Sequence, residues 1–146
     1  MFIQTNPKNK AYYNLLDIAF DVCDTFILVI RKDMDCNQSV FNIINMLQDS
    51  LIEMKEESEW VGTELLGQTA YVYYYKTNDN AKKIIKSISN SLYEWTQPNF
   101  PEDLSFIKNG EAWLINTAHE YEGYLLTEDP ILINRLKSID GLNLVE

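Results

Sequence analysis

Apolar positions along the chain switch between a helical and an extended period, and each switch marks an element. Tyr12, Leu15, Leu16, Ala19 and Phe20 recur at helical spacing and predict an amphipathic helix of about three turns, interrupted by Asp24 and Thr25. Phe26-Ile27-Leu28-Val29-Ile30 follows, unbroken and rich in β-branched residues, the pattern of a strand covered on both faces. Arg31 to Gln38 is polar and reads as a loop. With Ser39 as cap, Val40, Phe41, Ile43, Ile44, Leu47, Leu51 and Met54 fall on one stripe and predict a second helix. Glu53, Glu56, Glu57 and Glu59 crowd its far end. Negative charge there opposes the helix dipole, so the helix is expected to stop before Glu56.

Glu59 to Glu64 reads as an ordered loop turning at Gly62. Thr69 to Lys76 alternates, with Ala70, Val72 and Tyr74 on one face and Tyr71, Tyr73 and Tyr75 on the other. Such a strand is either covered twice or uses its tyrosine face for contact. Asn78, Asp79 and Asn80 offer caps for a third helix with the stripe Ala81, Ile84, Ile85, Ile88, Leu92 and Trp95, stopped by Pro98 and Pro101. Next, Asn109-Gly110 sits between two alternating runs, a strong signal for a two-residue hairpin turn. That turn sets Lys108 opposite Glu111, Phe106 opposite Trp113 and Leu104 opposite Ile115, each pair worth roughly 0.2–1 kcal/mol. A strand over Glu120 to Leu126 extends the hairpin into a meander. Asp129 then caps, and Pro130 opens, a last helix with Ile131, Leu132, Leu136 and Ile139 inward.

No repeat or linker divides the chain. The fold class is α+β: residues 1–146 form a single domain, a mostly antiparallel sheet with a C-terminal hairpin and meander, packed by three to four amphipathic helices. A length of 146 residues with 46% hydrophobic residues is enough to bury a core. The formal charge of −10 argues against nucleic acid and against an anionic membrane surface, since both need clustered Lys and Arg. The same charge can steer a basic protein partner by long-range attraction. Cys23 and Cys36 form no C-x-x-C pair, and one histidine cannot complete a Cys/His zinc set. The first residues lack an apolar leader core, and no apolar run approaches ~18 residues, so a cytoplasmic protein with reduced thiols is expected.

Chemistry has one imidazole to work with, His119. In His119-Glu120 the metalloprotease pattern H-E-x-x-H fails at Gly123, and no activated nucleophile accompanies the histidine. A carboxylate from Glu120, Glu122, Glu102 or Asp103 bonded to the ring could make a general base or simply pin the meander; the pin is expected. Asp33-x-Asp35-x-Asn37 opens like a calcium loop but has Gln38 and Ile44 where Gly and Glu are needed. Glycines form no phosphate-binding motif. Glu102 with Asp103, or Glu111 with Glu120, could hold a divalent ion or act as a paired acid and base, yet carboxylates are more often solvated. No cofactor or metal is expected.

Two segments carry a resemblance: Glu59-Trp60-x-Gly62-Thr63-Glu64, and Pro101-Glu102-Asp103-Leu104-x-Phe106-x-x-Asn109-Gly110-x-x-Trp113-Leu114 with His119-Glu120. Over roughly residues 12 to 126 the chain resembles small uncharacterised proteins of Firmicute bacteria and their mobile elements. The group brings no established activity and no catalytic residues; the resemblance implies a bacterial or phage-borne accessory protein. Size and charge suggest, by analogy, an immunity protein or anti-defence antagonist. The expected function is therefore non-enzymatic protein binding. Its expected surface comprises Glu102, Asp103, Glu111, Trp113, His119, Glu120 and Glu122, with the tyrosine face of Tyr71, Tyr73 and Tyr75. The alternative is a small hydrolase or small-ligand binder with a pocket around His119 and Trp113.

Overall fold

A computed structural model describes all 146 residues. In chain order the elements are β1 (Phe2–Ile3), α1 (Asn9–Val22), β2 (Thr25–Arg31), α2 (Gln38–Met46), β3 (Leu51–Glu57), β4 (Glu59–Trp60), β5 (Thr63–Glu64), β6 (Ala70–Lys76), α3 (Asp79–Ile88), β7 (Glu102–Lys108), β8 (Glu111–Thr117), β9 (Glu122–Leu125), α4 (Pro130–Lys137) and β10 (Leu144–Val145). Eight strands form one sheet in the order β10-β1-β9-β8-β7-β2-β6-β3, every pairing antiparallel. The α+β class and the C-terminal hairpin and meander are as the sequence pattern predicts.

The sheet has unequal faces. All four helices lie on one of them, and residues from every helix join a single cluster of 32 buried side chains. The other face carries a cluster of only five: Ile27, Val29, Trp60, Ala70 and Val72. Its cover is the short β4–β5 hairpin and the chain after it. That arrangement explains why β2 reads as one unbroken apolar run: Phe26 and Leu28 enter the large core, Ile27 and Val29 the small one. In the large core Phe26 stacks on Tyr75, its cross-strand partner, with centroids 5.0 Å apart. Phe20 of α1 meets Phe106 edge-on at 5.1 Å. The tyrosine face of β6 is thus mainly a packing face: Tyr75 is fully buried, and Tyr71 and Tyr73 are half-buried.

Polar groups inside the large core are joined end to end. Trp95 Nε1 donates to the Tyr12 hydroxyl at 2.9 Å, the Tyr12 and Ser89 hydroxyls lie 2.6 Å apart, and Ser89 Oγ donates to the Ile85 carbonyl at 2.7 Å. Burial pushes the Tyr12 phenol well above its ordinary pKa. Each polar atom of this Trp95–Tyr12–Ser89 relay has a partner, as burial requires.

Several elements depart from the periodic reading. The second helix ends at Met46, and Leu51 to Glu57 is a strand, β3. Leu47, Leu51 and Met54 keep helical spacing by chance, but the segment pairs with β6 along its length and bonds there instead. The third helix ends at Ile88; Leu92 and Trp95 are buried from a following turn of 3₁₀ helix and its end. Asn78 does cap α3, its side chain accepting from Ala81 N at 2.9 Å. Asp129 likewise caps α4 by accepting from Ile131 N, while Ile131 itself faces outward.

The hairpin turn forms at Asn109 (φ 51°) and Gly110 (φ 81°), both left-handed as a type I′ turn requires. Lys108 pairs with Glu111 as expected, but Phe106 pairs with Leu114 rather than Trp113, because a bulge lies between. The reason is packing. Trp113 and Leu114 are adjacent yet both enter the large core, and only an extra residue in β8 lets consecutive side chains face one way. The expected Leu104–Ile115 pair is lost to the same shift in register.

Candidate functional site

A second bulge builds the most unusual site in the molecule. From Ile27 to Val29 strand β2 advances two residues while β7 advances three, from Ser105 back to Glu102. The surplus is absorbed at Asp103, whose φ is 59°. Strict alternation would send the Glu102 and Asp103 side chains to opposite faces. The bulge instead brings both carboxylates to His119, and one ligand atom from each of the three lies within 4.8 Å of the others.

Each carboxylate is clamped from behind. Glu102 Oε1 accepts from Gln97 N at 2.7 Å and from Thr96 Oγ1 at 2.8 Å. Asp103 Oδ1 accepts from Ala118 N at 3.1 Å, and its Oδ2 faces Trp60 Nε1 at 3.4 Å. Ser105 Oγ donates to the Asp103 carbonyl at 2.9 Å and accepts from Asn116 N at 3.1 Å. Side chains thus supply acceptors where bulged backbone cannot complete a ladder. The Gln97 side chain closes the neighbouring end of β2, accepting from Arg31 N at 2.7 Å and donating to the Arg31 carbonyl at 3.1 Å.

Both carboxylates are fully buried, and no Lys or Arg forms a salt bridge with either. Arg31 is the nearby cation, but its guanidinium grips Asp33 through two bonds of 3.0 and 2.9 Å. That grip holds the Asp33 carboxyl below its ordinary range. Burial, reinforced by the charge of Glu102, pushes the Asp103 carboxyl up to about 6, against the pull of Ala118 N, His119 and Trp60. His119 Nδ1 lies 3.4 Å from Glu102 Oε2, and Nε2 lies 3.9 Å from Glu120 Oε1. The ring sits at the rim, half-buried, at the end of β8 in a 3₁₀ turn over Ala118–Glu120.

Trp60 reaches this site from the β4–β5 hairpin, which needs a close approach to the sheet. A Cβ on Gly62 (φ +85°) would stand 2.5 Å from Ile115 Cγ2. Two segments far apart in the sequence therefore meet here: Trp60 and Gly62 from the first, Glu102, Asp103 and His119 from the second.

The expected recognition surface is not one surface. Glu102, Asp103, Trp113 and Tyr75 are buried and cannot present themselves to a partner without unfolding. Glu111 and Glu120 are exposed and Glu122 half-exposed, but Glu111 and Glu120 flank opposite ends of β8, about 20 Å apart at ~3.3 Å per residue. Trp113 borders a cleft of about 490 Å³ near the hairpin turn with Lys108, Glu111 and Leu126. His119 lines none of the four cavities, so no pocket encloses both His119 and Trp113. The largest cavity, about 760 Å³, lies under the chain after β5 and is bordered by Lys32, Asp33, Ser58, Leu65, Leu66 and Thr69. Both cysteines are free, and burial pushes the Cys23 thiol up to about 12, which makes it inert as a nucleophile.

The acidic residues that periodicity assigned to a helix end are instead spread along an edge. β3 is the last strand of the sheet, bonded to β6 on one side only. Glu53 and Glu56 are exposed along it, Glu57 is half-exposed, and Glu59 and Glu64 stand on the adjoining hairpin. Lys55 answers Glu53 at 3.3 Å, and Lys32 bonds Glu56. No helix of the protein is long and apolar enough to cross a membrane. Comparison with models of protein families, with curated proteins and with solved structures finds no match to this chain.

Proposed function

We propose that this protein is a non-enzymatic binding factor that holds a basic protein partner along the outer edge of β3, in the manner of an immunity protein or an anti-defence antagonist. One observation carries the reading: a seven-residue strand whose outer backbone groups are unpaired and whose flank is acidic. Lys on an edge strand discourages pairing with other strands. Here five glutamates over residues 53–64 face two lysines, Lys55 and Lys32, so the flank stays acidic and a basic segment is attracted rather than repelled. An extended segment of the partner can add to the sheet through main-chain bonds, with the exposed Met54 and half-buried Tyr71 and Tyr73 as apolar contacts.

The test begins with affinity capture from the native host and identification of the partner by mass spectrometry, followed by stopped-flow association. The on-rate should fall as salt rises, because screening shortens the Debye length to ~8 Å at physiological ionic strength. Glu53→Lys with Glu59→Lys should slow association about tenfold or more. Both side chains are exposed, so stability should stay within ~0.5 kcal/mol of the parent. Reversal at Glu120 and Glu122, away from this edge in the strand order, should matter less. On-rates indifferent to salt and to reversal on β3 would sink the proposal.

A further inference from the structure

We propose that Glu102, Asp103 and His119 form a binding site for a divalent first-row transition metal, with zinc or manganese as the chemical class. The site is independent of partner binding at β3. Three observations meet here. First, the ligand atoms lie within 4.8 Å of one another, so modest convergence brings all three onto one ion at bond lengths near 2.0–2.2 Å. Second, the carboxylates are held as ligands are held: Gln97 N and Thr96 Oγ1 occupy Glu102 Oε1, and Ala118 N occupies Asp103 Oδ1. Donors of this kind orient a metal-bound carboxylate from its far side. Third, the remaining oxygens lack strong partners. Glu102 Oε2 is fully buried with only the 3.4 Å contact to His119, and Asp103 Oδ2 has only the equally long contact to Trp60.

Buried carboxylates are ordinarily paired with a cation or bound to a metal. Arg31, the cation nearest to hand, is committed to Asp33. One imidazole with two carboxylates suits zinc or manganese better than calcium, which takes six to eight oxygens. Coordination through His119 Nδ1 leaves the proton on Nε2, which faces Glu120 Oε1 at 3.9 Å, so Glu120 becomes a positioning residue behind the ligand. The half-exposed edge of His119 gives the ion its way in.

His119 is the sole histidine, so one imidazole signal in a ¹⁵N-edited NMR spectrum reports on the site without any variant. Titration of chelator-treated protein with zinc chloride should shift that signal, saturating at one ion per chain. Calorimetry should give the same stoichiometry. Saturating zinc should raise the melting temperature by ~5–10 °C at ~100-fold excess over Kd. His119→Ala should weaken affinity at least ~10-fold, Glu120→Gln should weaken it less, and Cys36→Ser should leave it unchanged. An imidazole signal that ignores both zinc and manganese overturns the proposal. So does zinc affinity unaltered in His119→Ala, which would place the ion on surface carboxylates or thiols.

Discussion

Tyr12 holds together three parts of the chain that no stretch of sequence connects: α1 through its own backbone, the end of α3 through Ser89, and the 3₁₀ segment through Trp95. Because Ser89 Oγ already donates to Ile85, the Tyr12 hydroxyl donates to Ser89 and accepts from Trp95. Tyr12→Phe keeps the ring and removes both links, leaving the Trp95 N–H buried without an acceptor. The expected cost is ~1–3 kcal/mol, the penalty for an unsatisfied buried donor. A thermal melt should register a drop of several degrees, at ~2–4 °C per kcal/mol for a domain of this size. An unchanged melting point would mean that the hydroxyl chain contributes nothing. Residue identity made some of this legible, since a Tyr and a Trp in apolar stripes must place their polar ends somewhere. Their partners were not legible, because Tyr12 and Trp95 lie 83 positions apart. Glu102 and Asp103 are equally illegible: charged residues read as surface, and the donors that let them go inside, Gln97 N, Thr96 Oγ1 and Ala118 N, are placed by the fold and not by any local pattern.

At the scale of elements, the turn chemistry proved more reliable than the periodicity around it. Asn109-Gly110 specifies its own backbone angles locally, and the turn forms where the sequence puts it. Bulges are different, because whether Trp113 or Leu114 meets Phe106 depends on how much room the core offers, which no local pattern encodes. Periodicity alone extends the second helix too far, because Leu47, Leu51 and Met54 fit a helical stripe as well as an edge strand. Only the partner strand β6 decides between them. The β4–β5 hairpin leaves the faintest trace, a Gly in an acidic loop, yet its Trp60 completes the small core on the second face of the sheet. Gly62→Ala tests how firmly it is seated. The added methyl would overlap Ile115 Cγ2, and the positive φ already disfavours a side chain. We expect a loss of ~1–3 kcal/mol, read as a lower urea midpoint. A midpoint equal to the parent's would show that the hairpin can ride away from the sheet at no cost.

For the whole molecule, the position of β2 governs how the chain reaches its final form. This strand lies between β6 and β7, so Thr25 pairs with Lys76 on one side and Ile107 on the other. Neither neighbour is near in sequence. During synthesis the apolar run Phe26–Ile30 therefore leaves the ribosome long before either flank exists, and it stays an open, sticky edge until residues past 100 follow. Closing such distant pairings spends chain entropy before any contact repays it, which places refolding in the millisecond-to-second range rather than in microseconds. Stopped-flow refolding from urea measures this directly, and a microsecond phase carrying the full amplitude would contradict it. A chain built around a late-completed centre depends on dilution or on chaperones while it waits, and its yield should fall with concentration before its stability does.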